Sequence, residues 1–121
     1  MKIVLVSSGQ PSANPRLVKE AIAYAEAGHA VTVVYCPLSP WADAYDKELF
    51  QQYPAVKWIS AGYHVTKQKA GYLFARIRQK IYAALFKAGL RHAFVAVRSM
   101  ALFTQELNAV AGAVKGDVYI C

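Results

Sequence analysis

Residues Ile3 to Val6 form an unbroken aliphatic run with no polar position in it. That is the pattern of a short strand covered on both faces inside a parallel sheet. A polar stretch, 7–13, then reaches Asn14-Pro15-Arg16. Asn suits the capping position of a helix, and Pro suits its first turn, where the missing N–H costs nothing. The spacing predicts a helix from Pro15. Leu17, Val18, Ala21, Ile22 and Ala25 recur every three or four residues, with Lys19, Glu20 and Glu26 on the other side. Gly28 supplies the left-handed residue that ends it. A second apolar run, Ala30 to Tyr35, closes at Cys36-Pro37. Strand, helix and strand within about 35 residues make a βαβ unit, whose crossover is right-handed.

Beyond Pro37 the pattern is less regular. The segment to Pro54 is proline-punctuated and carries Asp43, Asp46 and Glu48, which predicts a loop with a short helix around Trp41 to Gln52. Val56 to Ser60 alternates as a third, more peripheral strand does, and Ala61-Gly62 ends it. A helical period returns from Gly71 to Gly89 in Phe74, Ile77, Ile81, Leu85 and Ala88, and a further helix is predicted over Arg91 to Val114. Gly116-Asp117 leads into Val118 to Cys121, read as a fourth, buried strand. The fold class that follows is α/β: a Rossmann-like parallel sheet flanked by helices, in one domain over residues 1–121. A buried last strand normally needs a following loop and helix to cover it, so the pattern predicts a domain truncated at its C-terminal end.

Composition narrows the class. At 121 residues and 17% charged, the chain has the size for one ordinary core and too little charge for disorder. Cys36 and Cys121 lie in no CxxC and near no metal-spaced His, which predicts a reduced, intracellular protein. The apolar start is too short for a signal peptide before Gly9, Pro11 and Pro15, and no stretch approaches the roughly 20 apolar residues of a membrane span. Fourteen Lys and Arg against seven Asp and Glu give a net charge of +7. The excess is local, because residues 49–105 contain nine of the cations and no acid. At about 100° per residue, Arg76, Lys80 and Lys87 fall within about 40° of one another, beside Phe74, Ile77, Ile81 and Leu85. Such a helix suits an anionic bilayer surface, with Tyr72, Tyr82 and Phe86 at headgroup level. It equally suits a core helix with a solvated basic face. Nucleic acid is a third use of the same charge, disfavoured by the lack of any recognised motif.

Candidate chemistry centres on the first strand-to-helix loop, since open parallel sheets bind ligands outside the carboxyl ends of their strands. Backbone N–H groups near Arg16 and Leu17, with the Arg16 guanidinium, suit a phosphate or sugar-phosphate. The alternative for Arg16 is a salt bridge to Glu20, one turn along. Gly9 suits either a close backbone approach to a ligand or a plain turn. Neither GxGxxG nor GxxxxGK[ST] is present, which excludes a dinucleotide dehydrogenase and a P-loop nucleotidase. His29, His64 and His92 have no carboxylate or Cys at metal spacing and read as structural or solvent-facing; no metal site is predicted. Asp117 reads as the end of a turn rather than a base.

Met1 to Val34 resembles the opening of a family 4 glycosyltransferase of the GT-B fold. The resemblance is carried by Lys2-Ile3-Val4-Leu5-Val6, by Ser12-Ala13-Asn14-Pro15-Arg16-Leu17-Val18-Lys19-Glu20-Ala21, and by Ala25-Glu26-Ala27-Gly28-His29-Ala30-Val31-Thr32-Val33-Val34. Gly116-Asp117-Val118-Tyr119-Ile120 is similar to the fourth strand of that family. The resemblance implies retaining transfer of a sugar from a nucleotide-sugar donor to an acceptor hydroxyl, in a cleft between two Rossmann-like domains, with this chain as the acceptor-side one. It maps the substrate and donor-phosphate loop onto Ser8, Gly9, Gln10, Asn14 and Arg16, although the frequent Gly-Gly pair of that loop is missing here. It implies no cofactor, the nucleotide sugar being a substrate. The implied partners are a C-terminal donor-binding domain with an E-x7-E carboxylate pair and a sugar or lipid-linked acceptor; an anionic membrane surface at Arg76, Lys80 and Lys87 is expected from the basic helix itself. The location expected from the cysteines and the basic helix is cytoplasmic and peripheral at the inner membrane face. A chain without the donor-binding half is expected to be inactive, since charge stabilisation at a departing nucleoside diphosphate needs both walls of the cleft. The rival expectation is a non-enzymatic Rossmann-like module that binds a membrane surface or nucleic acid.

Overall fold

A computed structural model describes residues 1–100 and 102–121. Its four strands, β1 (Lys2–Val6), β2 (Ala30–Tyr35), β3 (Val56–Ser60) and β4 (Val118–Ile120), are all parallel in the order β3-β2-β1-β4. Five helices accompany them: α1 (Pro15–Glu26), α2 (Asp43–Gln52), α3 (Lys69–Lys87), α4 (Ala93–Met100) and α5 (Thr104–Ala113). The architecture is Rossmann-like, as the βαβ pattern predicts.

Central position explains the unbroken apolar runs. Ile3 pairs with Val31 and Val118, and Leu5 pairs with Val33 and Ile120. One face of the sheet, Ile3, Leu5, Val31, Val33 and Val56, packs on Leu17 and Ala21 of α1. The opposite face, Val4 and Val34 with Ala61, packs on Leu107 and Val110 of α5. Alternate residues of β1 and β2 therefore meet different helices, and neither face can be polar. The α1 boundaries follow the predicted chemistry. Asn14 Oδ1 accepts from the Leu17 N–H at 3.3 Å, and Gly28 has φ 87°. The helix α2 starts at Asp43 after a 3-10 turn, Pro40–Ala42, within the predicted 41–52 span.

Two expectations are corrected. The single helix over Arg91 to Val114 is two, α4 and α5, with residue 101 of that span outside the described residues. Phe103, at the cap of α5, is buried beside Cys36 and Ala75, and its ring meets Tyr63 and Tyr72. The chain bends there because α4 lies along α3 while α5 lies on the sheet, and one straight rod cannot cover both. The second correction concerns β4, which is an edge strand and not a buried one: Val118 is 37% and Tyr119 48% exposed. It pairs with β1 alone, and among the described residues no element covers its outer side. Gly116 lets the chain reach that edge, since a Cβ there would stand 2.5 Å from Val4 Cγ2. Asp117 then closes the turn, accepting the Lys2 N–H at 2.8 Å and donating its own N–H to the Lys2 carbonyl at 2.8 Å.

Candidate functional site

The carboxyl ends of β1, β2 and β3 share a polar rim built on three successive loops. After β1, the Ser7 N–H donates to the Val34 carbonyl at 2.9 Å, so the loop leaves the sheet alongside β2. Gln10 follows with its side chain turned inward, 3% exposed. Its amide nitrogen donates to Asp43 Oδ1 and to Asp46 Oδ2, each at 3.0 Å, and its amide oxygen accepts the Ser39 N–H. Asp46 is buried, and its other oxygen accepts from the Ser12 N–H at 2.9 Å and from the Ser12 hydroxyl. One glutamine thus ties the first loop to the first turn of α2, with every hydrogen-bonding group of its amide engaged.

Asp43 has a second anchor. His64, in the loop after β3, reaches Asp43 Oδ2 from Nε2 at 2.6 Å. Three donors converge on His64 Nδ1: the Thr66 N–H at 3.2 Å, the Thr66 hydroxyl at 2.9 Å and the Lys67 N–H at 3.3 Å. Nδ1 is therefore the acceptor, and the ring proton sits on Nε2, donated to Asp43. The Asp43 carboxylate is held at both oxygens while its side chain stays 37% exposed. It lies at a cavity of about 600 Å³, together with Tyr35, Pro37, Lys47, Phe50 and Lys67. Burial raises the Tyr35 phenol above its ordinary value, and the charges of Asp46 and Asp43 push it further, against a hydrogen bond with Ser60 that lowers it. An oriented carboxylate beside aromatic surface can receive a ligand hydroxyl, or its proton. Among the described residues, no group of three or more His, Cys, Asp or Glu gathers closely enough to hold a metal ion.

The five loop residues predicted from sequence do not line one cavity. Gln10 belongs to the cavity just described, where its amide is taken up by Asp43, Asp46 and the Ser39 N–H. Asn14 and Arg16 border a second cavity of about 460 Å³ with Leu5, Tyr24 and Ile120. Arg16 is 89% exposed at its side chain, and its Nε meets Glu20 Oε1 at 3.0 Å, the salt-bridge alternative. Ser8 borders a third, of about 300 Å³, with Cys36, Leu38 and Phe103. Gly9 donates its N–H to Ser7 Oγ at 3.3 Å, and a Cβ there would meet nothing within 4 Å.

Asp43 and His64 were not singled out as site residues by sequence reasoning; His64, expected to be structural or solvent-facing, is mostly buried and ties the β3 loop to Asp43. The legible signal was partial: Asp43 and Asp46, three apart at a helix start, share one face. Nothing in their spacing points to His64, which the β3 loop brings back from 21 positions along the chain.

On α3 the three predicted basic residues, Arg76, Lys80 and Lys87, are exposed. The apolar positions beside them are exposed as well, including Phe74 at 62% and Ile77 at 58%, so they are not core residues. The inner side of α3 is instead carried by Ala75, which is buried, and by aromatic rings. Tyr72 packs against Phe103 with centroids 6.3 Å apart, and Tyr82 against Phe94 at 6.2 Å. Arg98 donates to the Tyr82 hydroxyl at 2.8 Å, and Phe86 lies under Arg91. Tyr72 and Tyr82 thus give part of their ring surface to neighbouring elements, and all three rings stay half-buried.

No protein-family model, curated protein or solved structure matches this chain.

Proposed function

We propose that this chain is the acceptor-side, N-terminal domain of a retaining, GT-B type glycosyltransferase of the cytoplasm, similar to family 4. The enzyme moves a sugar from a nucleotide-sugar donor to an acceptor hydroxyl. The observation that carries this reading is the rim at the carboxyl ends of the parallel strands, where the first loop, α2 and the β3 loop converge on Asp43. There a carboxylate with both oxygens held can accept a hydrogen bond from an incoming hydroxyl without reorganising. The aromatic surface of Tyr35 and Phe50 in the same cavity suits the apolar face of a sugar ring. Donor binding falls to a second α/β domain bearing the E-x7-E carboxylates, which residues 1–121 do not contain.

The test is a transfer assay on two proteins. The 121-residue chain alone should move no radiolabelled sugar from UDP-, GDP- or ADP-sugars. The polypeptide encoded by the parent gene, read past Cys121 into a domain with the carboxylate pair, should do so. In that longer protein Asp43→Asn should depress turnover at least tenfold with the circular dichroism spectrum unchanged. Efficient transfer by the chain alone, or a stop codon directly after Cys121, would remove the proposal.

A further inference from the structure

Five large apolar side chains of α3, Leu73, Phe74, Ile77, Ile81 and Leu85, face solvent. At about 100° per residue they occupy one arc of about 120°, along a helix that is about 28 Å long at 1.5 Å per residue. Leu90, just beyond the helix end, is exposed too. A contiguous apolar face of that kind marks an interaction surface, because scattered exposure would not align on one side of a helix. Its flanks are unlike each other. On one, Lys69, Arg76, Lys80 and Lys87 fall within about 40°, and among the described residues none of the four makes an ion pair. On the other, Arg78 is neutralised by Glu106, bound through both carboxylate oxygens at 2.8 and 2.9 Å. Residues 49–105 contain no acid that would repel an anionic surface.

We propose that α3 is an in-plane docking element that lays its apolar arc into the surface of an anionic bilayer, with Lys69, Arg76, Lys80 and Lys87 reaching the headgroups. Three features select a bilayer as the occupant. The arc is a convex ridge on one helix, and a bilayer takes up a convex apolar ridge without needing a shaped pocket. Four of its five residues are aliphatic, which gives a nucleic acid no rings to stack on. The four cations without an ion pair, of which Arg76 lies 6.0 Å from the Tyr72 ring centroid, run along one edge of the arc, where long Lys and Arg stems can rest on the apolar surface while their charges meet lipid phosphates. No helix among the described residues is long and apolar enough to cross a membrane, so the contact is with the surface. The proposal goes beyond the sugar-transfer reading and does not rest on it.

Flotation of the 121-residue chain with vesicles tests the proposal. At 50 mM salt, vesicles of phosphatidylcholine with 30% phosphatidylglycerol should carry at least tenfold more protein than pure phosphatidylcholine. Ile77→Glu with Ile81→Glu should reduce recovery at least tenfold, and so should Lys80→Glu with Lys87→Glu. All four positions are exposed, so thermal melts should match the parent chain. Equal recovery on both vesicle types, or none on either, would overturn the proposal. So would loss of binding in the charge variant with none in the Ile variant, which would leave only an electrostatic patch. Retention of a single-stranded oligonucleotide, or self-association through this face, without vesicle binding would give the surface to another occupant and overturn it equally.

Discussion

Gln10 and Asp46 are two buried polar residues that need each other. Asp46 accepts from Gln10, from the Ser12 N–H and from the Ser12 hydroxyl, so removing the carboxylate strands several donors away from water. Asp46→Ala should therefore destabilise the fold by about 1–3 kcal/mol, the usual cost of leaving a buried group unpaired. Urea unfolding checks it, with the midpoint falling and the slope unchanged. Cys36 is buried in a different way, in an apolar cluster with Ala75 and Phe103. Burial, and secondarily the Glu106 charge, push its thiol from 9.0 up to about 12. The folded chain thus holds this proton more tightly than the unfolded one. The resulting stability is whole below about pH 9 and is lost as pH rises from 9 towards 12. The denaturation midpoint should fall across that window, and Cys36→Ala should flatten the fall. An equally steep alkaline limb in the variant would mean that Cys36 does not drive it. Of these residues, sequence made only Gln10 a candidate, for its place in the first loop. Its engagement by Asp43 and Asp46, over 30 positions away, has no local signature.

Helices obey their local signals where one face is claimed by the sheet. The start of α1 at Pro15, capped by Asn14, and its end before Gly28 agree with composition because cap, first turn and apolar stripe all point the same way. In α3 the same periodicity has another meaning. Its apolar stripe faces outward, and its inward side is Ala75 with aromatic rings that an amphipathic pattern ranks lower. The stability of the two faces should differ accordingly. Ala75→Leu, which adds volume to a buried site, should cost about 1–3 kcal/mol. Ile77→Ser, on the exposed face, should change stability by no more than about 0.5 kcal/mol. Paired thermal melts decide the matter, and a larger loss from Ile77→Ser would place that residue in the core. The division of Arg91 to Val114 into α4 and α5 was likewise hidden, because both halves are helical in pattern and only their separate packing partners force a bend.

At the scale of the molecule, sequence by itself determined the alternation of strand and helix, the parallel direction of the strands and the interior place of β1. Those follow from short-range physics: apolar runs must be covered on both faces, and caps and glycines fix where helices begin and end. Only the tertiary structure decided that the α3 stripe faces solvent. It also separated Ser8, Gln10, Asn14 and Arg16 among three cavities and made the site's carboxylate Asp43, clasped by Gln10 and His64. Each of these depends on which distant segments meet. A residue's own neighbours in the chain set its local conformation, whereas its partners across the sheet and between helices set its exposure and hydrogen bonds.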